Sequence, residues 1–225
     1  MKRILGSLLL AVCCTAAFSQ KLTQVNLAGG LSFFSFYSDP GVLIRVSPDG
    51  NIMDFGTELA SDRGNFYAPK LQPYLGRIER YAPQSDSAFR GKIKSIGTST
   101  ITYYGSFEPD YKAGKLKSIG MLMFDYYTNF DNVAYRGKLR FIGSQVLEYY
   151  SSVEDEALRG KLKAIGNTSI QYYSSFEDRY LRGKIKSIGS VVIQYYSSQD
   201  RVEMRGQIKA GLYRPNVGGV IYILQ

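Results

Sequence analysis

The chain has 225 residues, a formal charge of +9, two cysteines, and neither histidine nor tryptophan. Lacking histidine, it has no ordinary catalytic triad and no histidine-based metal site, and both cysteines, Cys13 and Cys14, fall in an apolar N-terminal run. Carboxylates, amines, hydroxyls and 19 tyrosines remain as the chemically useful groups.

Lys2 and Arg3 precede apolar residues from Ile4 to Phe18, and Ala17-Phe18-Ser19 offers small residues around a cleavage point. The pattern predicts a signal peptide over residues 1–19, cut after Ser19 and too short for a membrane span. Cys13 or Cys14 would suit a lipoprotein reading, but Val12 is large for the residue before a lipidated cysteine. Cleavage removes both cysteines, so the mature chain has no thiol and no disulfide. It also takes two of the 28 basic residues, leaving 26 against 19 acids, a charge of +7. No other stretch approaches 18 apolar residues, which predicts an exported chain (periplasm, outer surface or secreted) with no transmembrane segment once mature.

Residues 20–90 read as an N-terminal β capping region. Leu31 to Tyr37 and Val42 to Val46 flank Asp39-Pro40-Gly41, a hairpin turn signal. Asn51 to Gly56 and Gly76 to Tyr81 are degenerate forms of a glycine-led strand found downstream, and residues 57–75, with Pro69 and Pro73, read as an irregular insertion.

From residue 91 to 211 the chain repeats itself. Gly91, Gly114, Gly137, Gly160, Gly183 and Gly206 stand 23 residues apart, and each of the first five leads into a polar-aliphatic alternation, a glycine, a second alternation and Tyr-Tyr, a motif that fails after Gly206. Such a period predicts a row of like units, none able to bury its apolar side alone. In the copy from Gly160, Lys161 to Ile165 predicts one strand, Gly166-Asn167-Thr168 a turn, and Ser169 to Tyr173 a second strand. Ile93 and Ile96 are three apart, an odd step that predicts a bulge or strand end near residue 95. Ile101, Phe124, Leu147, Ile170 and Ile193, with Tyr103, Tyr126, Tyr149, Tyr172 and Tyr195, should share one buried face. That face needs a cover: either the returning loops, through Phe107, Phe130, Val153 and Phe176 and then Tyr135, Leu158, Leu181 and Met204, or another part of a coiled array. Residues 212–225 end in Val220 to Leu224, a predicted capping strand that closes the edge. The fold class is therefore all-β, with tandem 23-residue hairpin repeats forming an elongated or coiled antiparallel sheet or solenoid.

The glycine-basic-aliphatic start of each copy and its late Tyr-Tyr pair resemble the YD-type repeats of RHS proteins, and the 23-residue unit is similar to MORN repeats. The resemblance covers residues 91–211 and implies successive β-hairpins; it carries no functional residue to this chain.

The acids Glu108, Asp131, Glu154, Glu177 and Asp200 recur once per copy, whereas a catalytic pair is unique to one place. They read as solvated loop acids paired with Lys or Arg, and the chain reads as non-catalytic, without cofactor or metal. The remaining route to a hydrolase lies in residues 20–90, where Asp54, Glu58 and Asp62 do not recur. Two basic columns stand out: Lys92, Lys115, Lys138, Lys161 and Lys184, and, two residues on, Lys94, Lys117, Arg140, Lys163, Lys186 and Lys209. Equivalent strands would set column neighbours about 9.6 Å apart, where repulsion in water is only about 0.4 kcal/mol. The columns therefore serve equally as solubilising surface or as a strip for an acidic polysaccharide, lipopolysaccharide or another polyanion such as extracellular DNA. The second tyrosines, Tyr104, Tyr127, Tyr150, Tyr173 and Tyr196, are expected on the same face as Lys94 and its equivalents. There they would either stack sugar rings or pack cross-strand on lysine stems. The leading expectation is a binding or scaffold protein using that Lys–Tyr face; the alternative is a structural or protein-interaction component of a cell-envelope assembly.

Overall fold

Glycine conformation dictates where this chain turns. The structure, a computed structural model, describes residues 21–38, 41–58 and 70–224. The predicted signal peptide with Cys13 and Cys14, Asp39-Pro40 of the first turn signal, most of the predicted insertion with Asp62 and Pro69, and Gln225 lie outside the described residues. Among the described residues the chain is all-β, its sheets are not closed into a barrel, and the one helical element is a 3-10 turn at Val202–Met204. No helix among them is long and apolar enough to cross a membrane.

Five hairpins follow one another: β7 and β8 (Ile93–Ile96, Ser99–Tyr103), β9 and β10 (Leu116–Ile119, Leu122–Tyr126), β11 and β12 (Leu139–Ile142, Gln145–Tyr149), β13 and β14 (Leu162–Ile165, Thr168–Tyr172), and β15 and β16 (Ile185–Ile188, Val191–Val192). Each turns on two residues, the first a glycine with φ between +51° and +59°. Among the described residues no non-glycine residue has positive φ, so these are type II′ turns, whose twist matches that of paired strands. Preceded by β6 (Ile78–Arg80), the hairpins make one 11-stranded antiparallel sheet. A further pair, β17 (Gln194–Tyr195) and β18 (Ile208–Ala210), follows the last hairpin.

The odd step between Ile93 and Ile96 is absorbed by a bulge. Arg80 pairs with Ile93 and Glu79 with Ser95, so Lys94 is the extra residue, and Ile93 and Ile96 both reach the core. The same slip falls on Lys117, Arg140, Lys163, Lys186 and Lys209. One basic residue per hairpin is thus displaced from the ladder.

The cover over the apolar face is a second sheet, not the loops. Its strands are β1 (Leu22–Asn26), β2 (Phe33–Tyr37), β3 (Leu43–Val46), β4 (Ile52–Glu58), β5 (Leu71–Pro73), β19 (Asn216–Val217) and β20 (Val220–Ile223). They are ordered β19-β20-β1-β2-β3-β4-β5, with β20 parallel to β1. Val25, Phe34, Phe36, Ile44 and Val46 share one core with Ile96, Ile101, Phe124, Leu147 and Ile170, and Phe36 meets Phe124 edge-on at 5.3 Å. Each such side chain contributes about 1.5–3 kcal/mol of burial, more than an end cap would gather. Residues 20–90, expected as one cap, are accordingly divided: β1 to β5 cover the face, and β6 extends the hairpin sheet. Val220–Ile223, expected to close the edge of the hairpins, instead joins β1 in the cover. Phe107, Phe130, Val153 and Phe176, the expected lid, stand in solvent. Tyr135, from the second part of that lid, does pack, with its ring 4.6 Å from Tyr127 and 6.1 Å from Tyr149.

The two sheets are also stitched by main-chain bonds. The turn between β3 and β4 reaches into the hairpin sheet, where Leu116 N donates to Gly50 O at 3.1 Å and Leu139 N to Pro48 O at 2.8 Å. Gly50 has φ +81°, and a Cβ there would fall 1.9 Å from the hydroxyl of Tyr126, a fully buried ring. Gly50→Ala is expected to cost about 3 kcal/mol through overpacking and positive-φ strain together. Gly91→Ala, at φ +74° with nothing within 4 Å, should cost only about 1 kcal/mol. Urea unfolding of the two variants measures the difference.

Candidate functional site

The two basic columns have different jobs. In the inner one, Lys92, Lys115, Lys138, Lys161 and Lys184 each donate to the carbonyl of a glycine 22 residues on: Gly114, Gly137, Gly160, Gly183 and Gly206. Each ammonium also lies 4.9–5.3 Å from the ring centre of Tyr103, Tyr126, Tyr149, Tyr172 or Tyr195. Burial pushes the pKa of all five lysines down. This column is a set of staples between successive hairpins, not the solvent-facing ladder expected from alternation.

The outer column is made of the bulge residues. Lys117, Arg140, Lys163, Lys186 and Lys209 stand 5.2–5.5 Å from the rings of Tyr104, Tyr127, Tyr150, Tyr173 and Tyr196. The expected Lys–Tyr juxtaposition is present. Carboxylates answer several of these cations: Lys94 is 3.9 Å from Glu79, Lys163 is 3.1 Å from Glu154, Lys186 is 3.3 Å from Glu177 and Lys209 is 3.5 Å from Asp200. Such partly exposed pairs add little stability, but they offset the positive charge of the column. Among the described residues, Lys117 and Arg140 have no carboxylate at ion-pair distance.

The second tyrosines do not form a free stacking row. Tyr104 is buried and the other four are half-buried. The hydroxyls of Tyr104, Tyr127, Tyr150 and Tyr173 donate to the carbonyls of Phe124, Leu147, Ile170 and Ile193 at 2.7–3.3 Å. Their rings also abut Tyr126, Tyr149, Tyr172 and Tyr195, with centroids 5.9–6.2 Å apart. The reason is local: the strands end at the first tyrosine of each pair, so alternation no longer governs the second, and its ring lies along the sheet.

The aromatic groups that do meet solvent sit at the loop tips. Phe107 and Phe130 are 100 % exposed, Phe176 94 % and Val153 87 %. Each occupies the middle of a turn closed by a main-chain bond, such as Glu108 N to Gly105 O and Glu177 N to Ser174 O, both 3.2 Å. The recurring acid comes next. Asp131 accepts from Thr128 N at 2.6 Å, Asp200 accepts from Ser197 N at 2.7 Å, and Glu154 accepts from Ser151 N. Main-chain N–H donors hold the Glu154 and Asp200 carboxyls below their ordinary range. Glu154 and Asp200 are therefore turn locks as well as lysine partners.

A second set of locks escaped the sequence reading. Asp86, Asn132, Asp155 and Asp178 each accept from the main-chain N–H two residues on, and again from a serine N–H twenty residues on: Ser106, Ser152, Ser175 and Ser198. Hydrogen bonds from Ser106 and Ser198 keep Asp86 and Asp178 below the usual carboxylate range. The signal was an Asp/Asn column with the 23-residue spacing, interrupted by Pro109 and Arg201. Four loops are thereby each tied to the following one, and the break at Pro109 leaves the Phe107 loop without this tie to the Phe130 loop.

The non-recurring acids have structural partners. Asp54 pairs with Arg45 at 3.2 Å, Glu58 accepts from Gln24 Nε2 at 2.8 Å and pairs with Arg214 at 3.4 Å, and Asp62 lies outside the described residues. Among the described residues, no group of three or more His, Cys, Asp or Glu side chains is placed to hold a metal ion. The chain matches no family model, no curated protein and no solved structure.

Burial raises the first tyrosine of each pair: Tyr195 is pushed up to about 12, and Tyr103, Tyr126, Tyr149 and Tyr172 are raised well above their ordinary range. Above their ordinary range the unfolded chain releases protons that the folded chain keeps, so stability falls as pH rises. Each protected tyrosine removes about 1.4 kcal/mol per pH unit there. The inner lysines act in the opposite sense just below their ordinary value, because the folded chain is first to release their protons. Urea midpoints measured from about pH 8 to about pH 12 should rise slightly and then drop steeply. Absorbance should show a late-titrating class of tyrosines alongside the drop.

Proposed function

We propose that residues 91–211 are five tandem 23-residue β-hairpin units, and that the protein is an exported, non-catalytic scaffold whose loop ridge holds a carbohydrate polymer. The observation that carries this reading is the row of Phe107, Phe130 and Phe176, bare to solvent at one position of the repeating loop turns, with Val153 taking that position between Phe130 and Phe176. Equivalent strands are two strands apart, so equivalent tips recur at about 9.6 Å, comparable to two sugars of an extended chain. Aromatic faces at that interval offer apolar contact to a polymer of matching period, at low conformational cost. The resemblance to YD-type and MORN-like hairpin repeats fits the same array, and the N-terminal basic-apolar pattern supports export.

The outer cations adjoin this ridge through the acids, since Glu154 follows Val153 and holds Lys163, and Glu177 follows Phe176 and holds Lys186. With most of that column answered by carboxylates, a preference for acidic polysaccharide, lipopolysaccharide or another polyanion rests on Lys117 and Arg140. Val153 supports a second reading, a protein-interaction component of an envelope assembly. An exposed aliphatic side chain has no ring to stack on sugar and suits an apolar pocket in a protein.

The test is a retention screen of the purified protein on neutral and acidic polysaccharides, lipopolysaccharide and DNA at two salt concentrations. Combined Phe107→Ser, Phe130→Ser and Phe176→Ser should lower retention at least about tenfold with an unchanged unfolding midpoint. Lys117→Gln with Arg140→Gln should remove the salt dependence and leave the rest. Undiminished retention in the triple variant rejects the ridge. A stoichiometric envelope partner that is lost with Val153→Ser assigns the ridge to protein docking instead.

A further inference from the structure

The inner Lys–Tyr–Gly units occur in two settings. At the central hairpins they receive the turn Pro48-Asp49-Gly50: Leu139 N donates to Pro48 O, Leu116 N donates to Gly50 O, and Gly50 lies directly against Tyr126. The Asp49 carboxylate is within electrostatic reach of Lys115 and Lys138, each already bonded to a glycine carbonyl. The receiving set is Lys115, Tyr126, Gly137, Lys138, Leu139, Tyr149 and Gly160.

Two units further along, the same positions are Lys161, Tyr172, Gly183, Lys184, Ile185, Tyr195 and Gly206. All seven, but not Leu162, the equivalent of Leu116, line a cleft of about 390 Å³, which is also lined by Leu27, Gly29, Gly30 and Leu31 of the β1–β2 connection with Tyr213 and Leu224. Among the described residues no Asp or Glu lines it. Lys161 and Lys184 each spend one N–H on a glycine carbonyl and keep the rest of their donor capacity. Burial alone moves their pKa values, with no carboxylate acting on either, in contrast to Lys115 and Lys138. Two half-buried ammonium groups on a concave wall call for an anion.

We propose that this cleft binds an acidic reverse turn of a partner protein, holding main-chain carbonyls and a carboxylate as the central hairpins hold Pro48-Asp49-Gly50. Ile185, the equivalent of Leu139, supplies the main-chain donor, Tyr172 and Tyr195 supply the apolar floor, and Lys161 and Lys184 attract the carboxylate. The site is separate from the loop ridge and from the outer basic column, so a polysaccharide on the ridge and a peptide in the cleft do not compete.

The probe is a capped hexapeptide with the sequence of residues 47–52, Ser-Pro-Asp-Gly-Asn-Ile, titrated into the purified protein by NMR. The expected result is saturable shifts centred on Lys161, Lys184 and Ile185. Affinity should fall at least about tenfold when Asn replaces Asp in the peptide or in Lys184→Gln protein. Leu31→Trp, which fills the cleft from the β1–β2 connection and leaves both lysines in place, should abolish the shifts and spare the fold. Equal binding of the Asp and Asn peptides, binding that survives Leu31→Trp, or no saturable shift in the unmodified protein overturns the proposal.

Discussion

A single sheet with one apolar face cannot stand in water, and that constraint organises this molecule. Ile96, Ile101, Phe124, Leu147 and Ile170 lie on one side of the hairpin sheet, and the side must be covered. The chain solves this with a second sheet drawn from both its ends. The result departs from a one-dimensional array, in which each unit touches only its neighbours. Phe36 on Phe124 and Pro48 on Leu139 join segments far apart in sequence, so the two sheets share one core and should unfold together.

With the apolar face settled, the polar groups divide their labour. Basic residues on the covered side are bonded to glycine carbonyls and laid over buried tyrosines, which ties hairpin to hairpin. Basic residues on the other side are pushed out by bulges and answered by loop acids. The loops themselves are bound to each other by Asp86, Asn132, Asp155 and Asp178. What remains free after this bonding is small: the apolar tips, Lys117 with Arg140, and the cleft beside Lys161 and Lys184. Function is most economically sought there, because most other recurring groups among the described residues have a structural partner.

The hairpins were legible in the sequence because each is specified within a few residues by Gly97 or its equivalents and by period-two alternation. The bulge was legible too, since Ile93 and Ile96 are incompatible with a regular strand on one buried face. The cover was not, because periodicity describes a face and says nothing of what lies across from it. Phe107 and Tyr135 both looked like lid residues, and only the turn geometry separates them, placing one at a tip and the other between two tyrosines. The second tyrosines misled for a related reason: alternation was extended one residue past the point where pairing stops. The Asp86 column was hidden by its breaks at Pro109 and Arg201, and the cleft by its dependence on Leu27 to Leu31, more than a hundred residues away in the chain.

The parallel pairing of β1 with β20 has a consequence for how the protein comes to exist. β1 finds one of its two neighbours only after all the hairpins have been made, and contacts of such separation form slowly. Until then Val25 and its neighbours keep an open flank, so the cover cannot be completed from the N-terminus alone. Completion of the cover thus waits on β20, behind every hairpin of the other sheet.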